Sequence, residues 1–374
     1  MHRLALSAIT AILLIGCGTD SATPETTTVA ADADAPLAAC PETVVFQTDW
    51  FPQAEHGGLY HLMGDDFITS KETGSTVGSL VVDGVPTDRR IEIRAGGPYL
   101  QSPVVTEMYQ DDSITLGYVG TDVAVSRFSD APTLAVFNAL TINPQVVLWN
   151  ADDHPEATTL AEVADAVRAI YVFGEPTWMR YFINQGLVDE SQVDSNYQGN
   201  LVLATEDVAH QGFLTSEPYK YATLDSGAIR TNHVLIHDMG WNSYAQNLAV
   251  RSDRLEELRP CLEDLVPVLQ QAQLDYIASP DRANEIIVAA VATLDSYWTQ
   301  TLEDTNASVQ AQREFGIIGN GDTATFGDLE DARVRDFLSK IIPIVRERGI
   351  DVPDLEPTDV ATNEFLDPSI TYAE

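Results

Sequence analysis

The apolar residues of this chain alternate between two patterns. Short runs dense in Val, Ile, Leu and aromatic residues read as strands: "TVVFQT", "RIEIRA", "SITLGYV", "TLAVFNAL" and "QVVLWN". Between them lie the mixed stretches "HGGLYHLMGDDF", "SPVVTEMYQDD" and "TDVAVSRF", which read as helical. That alternation predicts βαβ units and a mostly parallel sheet. A second set, "AIYVFG", "TWMRYFINQGL", "NLVLAT", "EDVAHQG" and "FLTSEP", repeats the logic in a smaller unit, and "NHVLIHDMG" and "QNLAVRSD" lead out of it. From Ser252 the chain turns helical. "SDRLEELRPCLEDLVPVLQQAQLDYIAS" has an acidic first turn and apolar residues at helical spacing. "SPDRANEIIVAAVATLDSYW" opens on a Ser-Pro-Asp start signal, and "FGDLEDARVRDFLSKIIPIVRERG" ends in basic residues and a glycine.

The simplest architecture is two α/β lobes with the chain crossing between them twice. Residues 41–140 and 241–374 form the first lobe with its helical tail, and 141–240 form the second. Ligands of open α/β sheets bind outside the carboxyl ends of the strands. In a two-lobed protein those ends face a cleft that hinge closure can seal.

The first forty residues set the compartment. "MHRLALSAITAILLIGCG" has a basic residue, an apolar run and then small residues, the three-part form of an export signal over 1–17. "LIGC" looks like a bacterial lipobox, in which Cys17 takes lipid and becomes the mature N-terminus; the bland alternative is an ordinary signal with a chance cysteine. Residues 18–40 are rich in Thr, Ala, Asp and Pro and read as a disordered tether, spanning about 25 Å. These features predict an exported protein held by lipid on the outer face of the cytoplasmic membrane.

The chain has 374 residues, 44% of them hydrophobic, enough for a large core in two lobes. Its net charge of −37, with no basic stripe, makes nucleic acid a poor partner, because phosphate binding needs clustered Lys and Arg. The acidity is read as solubility and names no ligand. Of three cysteines, lipidation of Cys17 leaves Cys40 and Cys261, an even pair that in an exported protein reads as a disulfide. His233 and His237 lie four apart in a strand-like context without an acidic or cysteine partner at metal spacing, so no metal is expected. No Gly-x-Ser-x-Gly elbow and no phosphate-binding Walker loop is present in the sequence, and no cofactor is expected.

One stretch crowds polar and aromatic groups around a proline: "QTDWFPQAEHGGLYHLMG", residues 47–64. Within it, "DWFPQAEHGGLY" resembles the signature of the thiamine-pyrimidine-type substrate-binding proteins. They are a branch of the ABC-importer binding proteins that also includes sulfonate and riboflavin-precursor binders. The family pattern, roughly Trp-x-Pro-x-x-x-His-x-Gly-x-Tyr, falls on Trp50, Pro52, His56, Gly58 and Tyr60. "LGYVGTDVAVSR" is similar to the family's Gly-x-x-Asp turn, with Asp122. "FLTSEPYKY" is similar to its second-lobe Glu-Pro-Tyr segment, with Glu217, Pro218 and Tyr219, and "TNEFLDP" resembles its ending. The sequence departs where His56 is followed by Gly-Gly rather than Ala-Gly. It departs again where "TTLAEVADAVRAIYVFG" replaces the usual Lys-Asp-Leu-Lys-Gly-Lys entry to the second lobe. The resemblance implies a two-lobed periplasmic-binding-protein-like fold (type II) that traps a flat heteroaromatic or nitrogen-rich nutrient and delivers it to an ABC permease, without catalysis. Eukaryotic relatives thought to make the thiamine pyrimidine, consuming a histidine that His56 resembles and using a cysteine-rich segment, supply a rival enzyme reading. A non-transport ligand sensor is a third.

The candidate ligand contacts each carry a structural alternative. Asp49 and Trp50, at the end of the first strand, offer a carboxylate and a stacking indole, or else a capping Asp and a core Trp. His56 and Tyr60, four apart on one helical face, offer polar flat rings to the cleft or pack inside. Gly57 and Gly58 let a ligand or a strand approach the backbone, or are tolerated in a frayed turn. Thr121 and Asp122 read as a helix start at the cleft mouth. Glu175 and Thr177 lie in a second strand-to-helix turn, Glu217 meets a ligand amine or caps a hinge, and Trp241 is a candidate lid or stacking residue.

Overall fold

The computed structural model describes residues 36–197, 199 and 201–373. The expected export signal, the expected lipobox with Cys17 and most of the expected tether lie outside the described residues. No described helix is long and apolar enough to cross a membrane.

Twelve described strands form two sheets: β1 Thr43–Gln47, β2 Ile68–Ser70, β3 Ser75–Val82, β4 Val85–Arg94, β5 Leu116–Tyr118, β6 Thr133–Asn138, β7 Gln145–Asn150, β8 Ile170–Tyr171, β9 Val193–Asp194, β10 Ala209–Phe213, β11 Thr231–Leu235 and β12 Asn247–Arg251. The larger sheet runs β2-β3-β4-β1-β5-β12-β6 and the smaller β11-β7-β10-β8-β9. Both are mixed. The expected parallel pairing holds where β1 lies between β4 and β5, and where β8 lies between β10 and β9. The flanking pairs are antiparallel. The β3–β4 hairpin is one of these six antiparallel pairs. Its two turn residues, Asp83 and Gly84, both take positive φ (50° and 74°), the conformation a tight hairpin turn demands.

The helices are α1 Gly57–His61, α2 Val104–Gln110, α3 Thr121–Ser126, α4 Leu160–Ala166, α5 Thr177–Asn184, α6 Glu217–Ala222, α7 Leu255–Ala278, α8 Asp281–Leu294, α9 Leu302–Glu314, α10 Asp331–Glu347 and α11 Pro357–Val360. β1 shows why this chain needs helices on both faces of its large sheet. Val44 and Phe46 pack with Leu262, Leu265 and Leu269 of α7, while Val45 joins Val104, Val105 and Met108 of α2. A strand buried on both sides reads as an unbroken apolar run, and "TVVF" does. The predicted helix through "TLDSYW" stops earlier, at Leu294, because Asp295 turns left-handed (φ 47°) and frees Tyr297 and Trp298 into a loop. Cys40 and Cys261 are joined by a disulfide that pins the segment before β1 to α7.

The chain passes between the sheets at 139–144 and 236–246. The buried Asn143 Nδ2 donates to Ser243 Oγ (2.9 Å) and so ties the two crossovers together. From α10, the Arg333 guanidinium donates to the carbonyl oxygens of Thr141 (2.6 Å), Asn242 (2.8 Å) and Ser243 (3.2 Å). It also lies 3.7 Å over the Tyr244 ring. Three carbonyls that would otherwise lack partners are thereby satisfied by one planar cation.

Candidate functional site

The site begins where β1 ends. After Gln47 the chain turns sharply, and the turn is gripped by the segment following β4. Gly96 N–H donates to Trp50 O (2.8 Å) and to Thr48 Oγ1 (3.1 Å), and Gly97 N–H donates to Asp49 O (3.0 Å). The two backbones approach so closely that a Cβ on Gly96 would lie 2.3 Å from Asp49 C and 2.5 Å from Trp50 N. Glycine is required there by space, and the result is that Asp49 and Trp50 are presented at the carboxyl edge of the sheet.

A cavity of about 340 Å³ opens in front of them, between the two sheets. Its apolar wall is aromatic and comes from three parts of the chain. Trp50 meets Phe173 of the second lobe (centroids 5.8 Å apart) and Trp298 of the α8–α9 loop (6.0 Å), both edge to face. Phe51 stacks under Trp298 (6.1 Å, planes 7° apart), and Phe173 meets Tyr197 (5.0 Å). Trp298 is held from behind as well: its Nε1–H donates to Pro52 O (3.3 Å), and Lys220 Nζ sits 4.1 Å over its ring. Tyr297, 60% exposed, stands at the mouth.

The polar lining is acidic. Asp49 is fixed by two donors, His56 Nε2–H to Oδ1 (3.1 Å) and Gln246 Nε2–H to Oδ2 (3.2 Å). Asp122 follows β5; burial pushes its carboxyl above the usual range, against the pull of the Val123 N–H, and the charge of Asp49 adds to the rise. Glu55 is buried and accepts hydrogen bonds from Thr215 Oγ1 of the second lobe and Ser308 Oγ of α9 (3.3 Å). Glu217 accepts from the Phe213 N–H (2.6 Å); burial raises its pKa, opposed by that bond and by Lys220, with Glu55 adding to the rise. Gln53, Asn143, Gln145, Gln211 and Ser216 complete the polar lining. Among the described residues no group of His, Cys, Asp and Glu is arranged to hold a metal ion.

Of the ten candidate contacts, Asp49, Trp50, Asp122 and Glu217 line this cavity. The other six do not. His56 is fully buried behind Asp49, stacked on Tyr118 (4.9 Å), where it orients the carboxylate instead of facing the cleft. Tyr60 is 1% exposed in the core under α7, and burial raises its pKa strongly. Gly57 and Gly58 admit neither ligand nor strand. A Cβ at Gly57 would lie 2.0 Å from the Tyr276 ring, so the pair of glycines lets α1 pack against α7. Thr121 is buried, its hydroxyl engaged with Tyr244 O and Asn247. Glu175 is paired with Arg348 at the end of α10 (3.0 Å), and Thr177 opens α5 close by in sequence. Trp241 is a core side chain packed on Phe337 (4.9 Å) and Tyr181 (5.4 Å). Phe173, Tyr197, Gln211, Gln246, Tyr297 and Trp298 were not anticipated. A Tyr-Trp pair stranded in a loop between two helices was the available signal.

Three solved structures are similar to this chain in fold. The periplasmic aliphatic sulphonate binding protein SsuA from Escherichia coli superposes with a TM-score of 0.53 at 11% identity, covering 85% of this chain and 92% of that one. The fold is that of a periplasmic binding protein. The alkanesulfonate-binding protein SsuA from Xanthomonas axonopodis pv. citri bound to MOPS gives 0.52 at 11% identity, covering 86% and 99%. The ligand binding component of an ABC-type import system from Staphylococcus aureus, with zinc bound, gives 0.52 at 11% identity, covering 86% and 97%. No family model matches the sequence, and no curated protein does. In this periplasmic-binding-protein fold the aromatic-walled cavity occupies the interlobe position, outside the carboxyl end of β1.

Proposed function

We propose that this chain is an extracytoplasmic solute-binding lipoprotein of an ABC importer. It captures a small, flat, nitrogen-rich heteroaromatic nutrient, such as a thiamine pyrimidine precursor, by closure of the two lobes. The observation that carries this reading is the cavity lined by Trp50, Phe173 and Trp298. Its walls suit a planar ring, and its volume of about 340 Å³ is at the small end of ligand pockets. The fold supports a binding role, and the lipobox at Cys17 supports tethering beside a permease. The sulfonates named for two of the structural neighbours do not transfer, because no Lys, Arg or His is among the described residues lining the cavity. The enzyme reading loses its support. His56 is buried away from the cavity, and Cys40 and Cys261 are bonded to each other instead of forming a cysteine-rich segment.

The test is a thermal-shift and calorimetry screen of aminopyrimidines and other vitamin precursors. Binding is expected to raise the melting temperature of the wild type and to be lost in Trp50→Ala, which removes the indole shared by both lobes. A broad pyrimidine screen without any ligand-dependent stabilisation would reject the thiamine-precursor assignment.

A further inference from the structure

Four carboxylates line the interlobe cavity, Asp49, Glu55, Asp122 and Glu217, and no basic side chain among the described residues lines it with them. The acidity of the whole chain does not account for this arrangement. Acids placed for solubility sit in water, as Asp354 does at 96% exposure, whereas Glu55 is 3% exposed and the four share a cavity walled by aromatic rings. Lys220, the nearest cation named in the site, is parked on the face of Trp298.

Gln246 is an independent sign of what the cavity takes. Its side chain is 1% exposed and lines the cavity. Its Nε2–H donates to Asp49 Oδ2, and an ionised carboxylate can only accept, so the orientation of the amide is fixed. That leaves Oε1 as a buried acceptor with no hydrogen-bond partner, and Ser216 Oγ in the same cavity has none either. A buried acceptor without a donor is costly, and a donor brought by a ligand would recover that cost.

Resting on the reading of this cleft as a solute site, we propose that its ligand is a small flat cation carrying N–H donors: an aromatic amine, amidine or guanidine. Asp49 and Asp122 on the first lobe and Glu217 on the second flank it with negative charge. Gln246 Oε1 takes one of its N–H groups. The aromatic walls at Trp50 and Phe173 add cation–π attraction. A cation bridging the two lobes also relieves the repulsion between carboxylates that closure brings together, so ligand charge is coupled to closure. An anion of the same shape meets four carboxylates, and Lys220 beside them is already engaged with Glu217 and the Trp298 ring.

The test uses the full chain and three probes of one shape and different charge: benzamidinium, benzamide and benzoate, measured by calorimetry and thermal shift at pH 7.5 and low salt. Benzamidinium is expected to bind roughly tenfold or more tighter than benzamide, the scale of a charge-assisted contact in a partly desolvated cleft, and benzoate is expected to give no stabilisation. Glu217→Gln and Asp122→Asn keep an oxygen for the local backbone N–H and are each expected to cut the cation-to-neutral ratio several-fold. Asp354→Asn, on the outer surface, is expected to leave that ratio unchanged. Benzamide or benzoate binding as tightly as benzamidinium would overturn the cation inference while leaving a solute site. A ratio that falls as much in Asp354→Asn as in Glu217→Gln would overturn it too, by assigning the preference to overall charge. Failure of benzamidinium to bind would overturn the cation inference, while the aminopyrimidine screen decides the solute-site reading separately.

Discussion

Gly96→Ala tests how the site is built, because this glycine sits where two backbones touch. The added Cβ would lie 2.3–2.5 Å from Asp49 C, Thr48 O and Trp50 N. That is roughly 1 Å short of van der Waals separation, and none of the three atoms is the movable end of a side chain. The Asp49–Trp50 turn must therefore swing away. Overpacking of this kind costs about 1–3 kcal/mol. The displaced turn also loses or weakens the bonds from Gly96 N–H to Trp50 O and from Gly97 N–H to Asp49 O, each worth about 1 kcal/mol. The smaller entropy of the unfolded chain returns only about 0.4–1 kcal/mol. A net loss of about 3 kcal/mol is expected by urea unfolding, together with loss of ligand binding, since Asp49 and Trp50 both move. Gly97→Ala is the control. Its φ of +61° costs a residue with a side chain about 1–2 kcal/mol, but its Cβ would meet the Phe51 and Trp50 rings at an ordinary 3.4 Å. Equal effects from the two substitutions, or a Gly96→Ala protein as stable as wild type with full binding, would refute the steric clamp.

Three further expectations follow from the fold. Tyr60→Ala empties a core position under α7 and is expected to cost about 3–5 kcal/mol in urea unfolding, whereas a cleft residue would lower ligand affinity with little loss of stability. His210 is fully buried; its Nδ1–H donates to Gln211 O (2.7 Å) and its Nε2 accepts from Tyr221 O–H (2.7 Å), and burial lowers its pKa to about 4. The unfolded chain takes up that proton near pH 6.5 and the folded one near 4, so this group's contribution falls by up to about 3 kcal/mol between those values. His210→Gln is expected to flatten that part of the stability–pH curve, and an unchanged slope would contradict the assignment. Reduction of the Cys40–Cys261 bridge, which closes a loop of 221 residues in sequence separation, is expected to lower stability by about 3–5 kcal/mol, seen as an earlier urea midpoint in reductant.

Much of the architecture was legible in local patterns, and most of the misreadings trace to packing by distant residues. "TVVFQT" and "QVVLWN" are apolar enough to mark strands buried on both faces, and the acidic start of α7 marks its first turn. The β3–β4 hairpin was missed although Asp83-Gly84 between apolar runs announces it. In "DWFPQAEHGGLY" His56 ends a 3₁₀ turn, Ala54–His56, and Tyr60 lies in α1; both are buried. Which side of this stretch faces the cleft depends on α7, more than two hundred residues later, whose Tyr276 ring lies against Gly57. The stretch therefore divides: Asp49, Trp50, Gln53 and Glu55 line the cavity, while His56, Gly57, Gly58 and Tyr60 pack behind it. Gln246 reads in sequence as an ordinary polar loop residue. It gains meaning only when the second crossover sets its amide against Asp49. Trp241 was drawn into the site by its place near that crossover, but Phe337 of α10 covers it.

The central claim is that the solute lies between the lobes, against the turn after β1. A second concavity of about 780 Å³ lies on the outer face of the first lobe, lined by His61, Asp65, Pro267 and Arg282 among others, and it offers a clear alternative. The direct measurement is a crystal structure of the protein with the small molecule that co-purifies with it, or with benzamidinium. The account predicts density in the cavity lined by Trp50 and Phe173, with a donor within hydrogen-bond distance of Gln246 Oε1 and a charged group facing Glu217. Density in the outer groove, with the interlobe cavity holding only water, would contradict it.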